Sequence, residues 1–431
     1  MHSISIALER LGDFLQQDIP ATPGLRHFDV SFPLNDAFDP LAWLGAQIVY
    51  PQFYWQQRNG DEELAALGAA EHFSTLSAAR QFLNDRHADP DTRICGLNAF
   101  TPEQSHLFLP RLLWQRVGGV ANLRVNLSSD VSLQDDAQCA SEFLQHLRDI
   151  KPLASLSSRI VRETHLPARP EWLNLVSQAT NAIANNEFEK VVLARATDLQ
   201  FDQSVNVIAL MAASRRINHN CYHFCMVFDA QNAFMGSSPE RLWRRRGKHL
   251  RTEALAGTVA SHADDAQSHR LGEWLLNDDK NQRENMLVVE DICQRLQHYT
   301  QALEVLPAQV VRLRKVQHLR RCIWTELNLA DDEQCLHLLQ PTAAVAGLPR
   351  DSARAFIQRN EPFEREWYAG SAGYLSSEQS EFCVTLRCAR VSHTAVRLYA
   401  GAGIVSGSVP EEEWQEIENK AAGLRTLLLM D

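Results

Sequence analysis

The stretch Glu187–Phe201, EFEKVVLARATDLQF, sets the reading of the fold. After its lysine the residues run almost continuously apolar, as in a buried strand. Val191 and Leu193 lie on one face, which Arg195 ends, and Val192, Ala194 and Ala196 lie on the other. The helix-like EWLNLVSQATNAIANNEFE precedes it. Lys190 then has two readings. It can snorkel to water from the strand end, or it can be partly buried and act as a base. On this stretch alone the first is the simpler, because lysine heads usually reach water.

Moving outward, the longest helical pattern runs from about Asp264 to Thr300, with Met286, Val289, Ile292 and Leu296 as one apolar stripe. A different stripe holds Lys280, Glu284, Leu287, Val288 and Asp291, so a carboxylate lies among apolar neighbours. The closing VPEEEWQEIENKAAGLRTLLL begins with Pro410 and acids, both typical of a helix start. Strands with segregated helices predict an α+β fold more than a parallel βαβ one. The Ser- and Pro-rich segment 149–172 is the best internal boundary. It suggests an N-terminal section, 1–160, belonging to the same α+β unit, and a catalytic region, 165–431.

A length of 431 residues, 45% hydrophobic and 22% charged, suits two or three modest domains or one large unit with a substantial core. The formal net charge of -11 and the lack of a long basic tract argue against nucleic acid as a partner. WRRRGKHLR (Trp243 to Arg251) reads as a solvated hairpin or strand edge. Such an acidic chain would hold an anionic substrate only with local help from a metal or a few placed arginines. Nine scattered cysteines without CxxC pairs read as reduced thiols. The N-terminus lacks the pattern of a signal peptide, and no run of 18 apolar residues occurs. The expectation is a soluble cytoplasmic protein without a membrane partner.

Four stretches combine glycine with isolated polar groups. In AFMGSSPERLWRR a strand breaks at Gly236, placing Glu240 in a turn beside Pro239. A carboxyl at such a corner can be a general acid if burial raises its pKa, or simply an N-cap or a partner of Arg241. In RTEALAGTVA, Gly257 permits close backbone approach and Thr258 offers a hydroxyl, although a strand bend explains both. Glu284 on the long helix is the third. In YAGAGIVSGSVPEEEWQEIENK, amides around Gly401 and Gly403 can bind an anion. Glu413, Glu416 and Lys420 there share a helix face at i, i+3 and i+7. Carboxylates from separate helices make a usual Mg²⁺ site, while acids in a helix's first turn also occur without any ligand.

Taken in order, FEKVVLAR, FMGSSPERL, TEALAGT, KNQREN, QPTAAVAGLP, EREWYAGSAGYL, CVTLRCARV and YAGAGIVSGSVPEEEWQEIENKA resemble the chorismate-utilising enzymes. The ordered set spans roughly the last 260 residues. The resemblance implies one α+β unit of two large antiparallel sheets, helices outside and the site between them. It implies Glu284 and Glu416 as Mg²⁺ ligands, with Glu413 acting through water. Tyr368 and Arg387 would bind the enolpyruvyl carboxylate, helped by amides near Gly403, and Thr258 would also bind substrate. Glu240 would be the general acid for the C4 hydroxyl.

Members that use ammonia usually carry Gln where this chain has Lys190, and water-using members carry Lys. The expected activity is therefore that of an isochorismate synthase, with Lys190 as the base for water attack at C2, and a place in menaquinone biosynthesis. Ala256 stands where aminodeoxychorismate synthases have a nucleophilic lysine, and no amidotransferase subunit is expected. A salicylate synthase, or a non-catalytic chorismate-binding subunit, are the alternatives. Two positions depart from the family pattern: Gln340 and Asn285 stand where many members have histidine.

Overall fold

Among the described residues, antiparallel pairing joins twenty strands into one network. The computed structural model describes residues 3–34 and 38–429. The network forks at the long strand Ser105–Val117, which pairs with Glu62–Phe73 along one edge and with Ile94–Asn98 on the other. The first branch continues through Gln52–Gln56, Tyr222–Val227, Asn232–Ser238, Cys388–Ser392 and Ala395–Ile404 to Lys190–Phe201. The second runs from Ile94–Asn98 through Ser371–Leu375, Gln379–Val384, Arg241–Arg246 and His249–Ala260 to Val316–Leu327. These branches are the two antiparallel sheets that the resemblance implies.

The Lys190–Phe201 strand keeps the two faces read from its sequence. Val191 and Leu193 pack under helices Arg169–Ala184 and Pro410–Arg425, with Trp172 and Ile417. Ala194 and Ala196 face the opposite core. That core joins side chains of both branches, among them Phe224 and Phe234 with Trp243, Ala254 and Phe382. Burying each Val or Leu of such a strand contributes about 1.5–3 kcal/mol, so the strand is held from both sides.

The chain crosses between the branches twice near the site. Pro239 and Glu240 link Asn232–Ser238 to Arg241–Arg246, and residues 385–387 link Gln379–Val384 to Cys388–Ser392. The crossings hydrogen-bond to each other: Ser237 N donates to Arg387 O at 3.1 Å and Val384 N to Glu240 O at 3.0 Å. Gly236 allows this approach, since a Cβ there would lie 2.9 Å from Arg387 O and 2.6 Å from the Phe224 ring.

Three expectations are corrected. The helix expected from Asp264 to Thr300 is two helices, Asp265–Asn277 and Asp279–Leu296, and Thr300 opens a strand. Asp278 adopts extended backbone between them and its carboxylate accepts Asn281 N at 3.0 Å, so a local cap outweighs the continuous periodicity. Met286 is 37% exposed, whereas Val289, Ile292 and Leu296 are buried. Trp243–Arg251 is a hairpin, as expected, but it is neither a sheet edge nor solvated throughout. Arg241–Arg246 lies between two strands, and Arg245 is fully buried with Nε and Nη2 on Asp332 at 2.7 and 2.8 Å. The nine cysteines are all free. Among the described residues, no helix is long and apolar enough to cross a membrane.

Candidate active site

Lys190 does not snorkel. Its residue is 0% exposed, and the ion pair of Nζ with Glu284 Oε1 at 3.2 Å is not directed as a hydrogen bond, leaving Nζ without a hydrogen-bond partner. The reason lies in register. Lys190 pairs with Leu348 and Val192 with Gly403, so the strand end is covered on both edges. Gly403 lies against the pair: a Cβ there would stand 2.3 Å from Glu284 Oε1 and 3.2 Å from Lys190 Nζ. Only glycine leaves that space open.

Glu240, on the first crossing, is 2% exposed. Burial, then the charge of Glu253, pushes its carboxyl up to about 8, against the opposing pull of Lys190, Arg387 and Lys420. It therefore carries its proton at neutral pH. The cavity it faces, ≈ 40 Å³, is also lined by Ala256, Thr258, Glu284, His318, Tyr368, Arg387 and Gly403. Next to it, a wider cavity of ≈ 370 Å³ shares Thr258, Glu284 and Gly403 and adds Lys280, Glu413 and Glu416. A still wider groove, ≈ 1280 Å³, is lined by Arg58, Arg216 and His223 among others and contains none of the residues expected from the sequence.

Arg387, on the second crossing, donates from Nη2 to Nε2 of His318 at 2.5 Å. With Nε2 accepting, the ring proton of His318 sits on Nδ1, which faces Thr258 Oγ1 at 3.0 Å and Gly257 O at 3.3 Å. Burial, then Arg387 and Lys420, holds His318 well below the ordinary histidine range, so it is neutral. Sequence reasoning missed His318. The only signal is the strand register that sets Thr258 opposite it. Tyr368 is buried and stacks on Tyr399 with centroids 5.0 Å apart, and its hydroxyl lies 2.6 Å from where a Gly401 Cβ would be.

The three glutamates expected to serve a metal all line the wider cavity, and each meets a lysine. Glu284 pairs with Lys190 at 3.2 Å, Glu413 with Lys280 at 3.1 Å and Glu416 with Lys420 at 2.6 Å. As placed, no three His, Cys, Asp or Glu side chains among the described residues form a group that could hold a metal ion. Burial, then Glu416, pushes the Glu413 carboxyl above the ordinary range despite Lys280. Carboxylate oxygens are the donors that Mg²⁺ prefers, and Gly403 puts no side chain against the Glu284 oxygen.

The two departures from the family pattern have structural work. Asn285 is fully buried; the two hydrogens of its amide are shared among Ala254 O, Ala256 O and Leu319 O, and its oxygen accepts from Arg321 at 2.7 Å. It ties the Asp279–Leu296 helix to two strands of the second branch. Gln340 is 1% exposed and donates to Ala99 O at 2.6 Å.

A fold of two branched antiparallel sheets, with acid, lysine and arginine meeting at their crossings, is the fold of a known class. Residues 96–429 match the model of the chorismate binding enzymes, and the chain belongs to that family. It is 66% identical over 431 residues to the isochorismate synthase MenF of Escherichia coli K12, covering all of both chains. It is 39% identical over 419 residues to MenF of Haemophilus influenzae, across 96% of this chain and 93% of that one. The solved structure of MenF, the menaquinone-specific isochorismate synthase from Escherichia coli, superposes with a TM-score of 0.96 over 99% of this chain and 100% of that one, at 66% identity.

Proposed function

We propose that this chain is an isochorismate synthase of menaquinone biosynthesis, converting chorismate reversibly to isochorismate. The observation that carries the reading is a buried lysine amine without a hydrogen-bond partner beside the cavity that a protonated, buried Glu240 faces. Lys190 takes a proton from water as the water oxygen bonds to C2. The ring double bonds shift, the C4–O bond breaks, and Glu240 gives its proton to the departing hydroxyl, which leaves as water. One water enters and one leaves, so the change is an isomerisation. In reverse, Glu240 is the base and Lys190 the acid.

Arg387 suits a two-point grip on the enolpyruvyl carboxylate, with Tyr368 beside it and Thr258 and the Gly403 amide completing the enclosure. Glu284 and Glu416, with Glu413 through water, would hold Mg²⁺, whose charge neutralises the ring carboxylate. Residues 165–431 form the chorismate-binding region, and residues 1–160 are part of the same α+β unit. Chorismate is the partner, with no nucleic acid, membrane or amidotransferase subunit, and the free, mostly buried cysteines suit the cytoplasm.

The test is an incubation with chorismate and Mg²⁺, without ammonia, followed by chromatography and mass spectrometry. The expected product is isomeric with chorismate and convertible back to it. Salicylate with equimolar pyruvate, or no change with Mg²⁺ bound, would overturn the reading.

A further inference from the structure

Glu240 sits on a two-residue link, and the peptides on either side of it are held by one ion pair. Arg58 follows the Gln52–Gln56 strand, far from Glu240 in sequence. Its Nη1 and Nη2 donate to the two oxygens of Glu253 at 2.5 and 2.8 Å. The same Nη1 donates to Pro239 O at 2.8 Å, and Glu253 Oε1 accepts the amide of Arg241 at 2.8 Å. Residues 239 and 241 are thus each tied to one member of the pair. Side-chain exposure is 12% for Arg58 and 0% for Glu253.

Ordinary stabilisation does not account well for such a pair. A buried ion pair is often no better than two apolar side chains of the same size. What an apolar pair would not supply is a grip on both flanking peptides and a fixed charge behind the acid. We infer that Arg58 and Glu253 are positioning residues for the general acid: their ion pair clamps the corner that presents Glu240 and keeps a carboxylate behind it. This rests on the role of Glu240 given under the proposed function.

The surrounding charges agree. Glu240 is faced by Glu253, Lys190, Arg387 and Lys420, and after burial Glu253 is the largest influence favouring its protonated form. Glu253 is faced by Arg58, Arg241 and Arg320. Burial acts to raise it, and these cations, with the hydrogen bond from Arg58, hold it below the ordinary carboxylate range. One carboxyl stays ionised so that its neighbour stays protonated, a division of roles set by environment. The N-terminal section thereby reaches the chemistry without touching the substrate.

The experiment compares kcat against pH for the wild type, Glu253→Gln and the double variant Arg58→Met/Glu253→Met. The double variant removes both charges at similar volume and serves if the single one fails to fold. The limb on which activity falls with rising pH is expected to move down by about one pH unit in Glu253→Gln, as loss of a neighbouring like charge requires, and by less in the double variant, where loss of the Arg58 charge offsets part of the shift. KM for chorismate should stay within about threefold, and in the double variant kcat should also fall by about tenfold or more as the corner loosens. Independently of turnover, the infrared carboxyl band that Glu240→Gln abolishes should titrate at lower pH in Glu253→Gln. Folded variants whose limb and band do not move would overturn the inference. If Glu240→Gln itself stays active, the acid assignment falls instead, so the two failures are distinguishable.

Discussion

Lys190 Nζ stands 3.2 Å from Glu284 Oε1, and the backbone of Gly403 closes against both. A strand, a helix and a second strand meet there without room for one methyl group, since a Gly403 Cβ would also come within 2.9 Å of Lys190 Cε. Gly403→Ala should therefore displace the Lys190 amine and the Glu284 carboxylate together. Turnover is expected to fall about a hundredfold, the scale of an ångström-sized misplacement, with circular dichroism unchanged. Steady-state kinetics would show it, and wild-type rates in the variant would contradict the crowding.

Lys190→Ala should lower turnover by about a thousandfold, within the range for loss of a general base. Chorismate with Mg²⁺ should still raise the unfolding temperature, because binding stabilises the folded state whether or not chemistry follows. Turnover near the wild-type value would move the base elsewhere.

Glu240 gives a prediction with a definite sign. Its folded pKa of about 8 lies above the ordinary 4.5, so the folded state binds the extra proton between those values. Stability is fully favoured below about pH 4.5 and declines as pH rises through about 8. Glu240→Gln cannot ionise. Its melting temperature should exceed that of the wild type at pH 9, and the difference should shrink on acidification. Activity should be lost in the variant, and in the wild type should decline as pH rises through the same value. A variant that melts no higher at pH 9 would count against a protonated Glu240.

Chelation should abolish turnover, and added Mg²⁺ should restore it. Glu284→Gln and Glu416→Gln should each weaken Mg²⁺ binding by tenfold or more, the scale on which altered metal sites lose affinity, as titration calorimetry with MgCl₂ would report. Unchanged Mg²⁺ affinity in both would exclude them as ligands.

Asn285 sets a buried amide nitrogen against three backbone carbonyls and its oxygen against Arg321. Asn285→Ala should leave several backbone carbonyls short of a partner and cost about 2–4 kcal/mol of stability. Denaturant unfolding would measure it, and a loss under 1 kcal/mol would mean that water or a rearranged helix replaces the amide.

Much of this was legible in the sequence because it depends on local order. Alternation along Val191–Ala196 gave the two faces of the strand, and Pro410 with three following acids marked the start of the last helix. Burial of Lys190 was not legible, since it depends on Leu348 and Gly403, which reach its strand from more than 150 positions away. The break at Asp278 was missed because a side-chain cap leaves hydrophobic periodicity intact on both sides. His318 and the Arg58–Glu253 pair were missed for a third reason. Each is defined by a contact between segments distant in the chain, and no short motif records it.

The order of strands in the two branches also governs how the protein is made. Gln52–Gln56 and Ile94–Asn98 leave the ribosome early, yet one edge of each awaits Tyr222–Val227 or Ser371–Leu375. Throughout that interval the nascent chain carries two open edges with unpaired amides and carbonyls, the surfaces on which chains pair wrongly. Completion of both sheets is thus postponed until nearly the whole polypeptide is synthesised. Such distant pairings make folding slow, so the unfinished edges stay open to mispairing for longer.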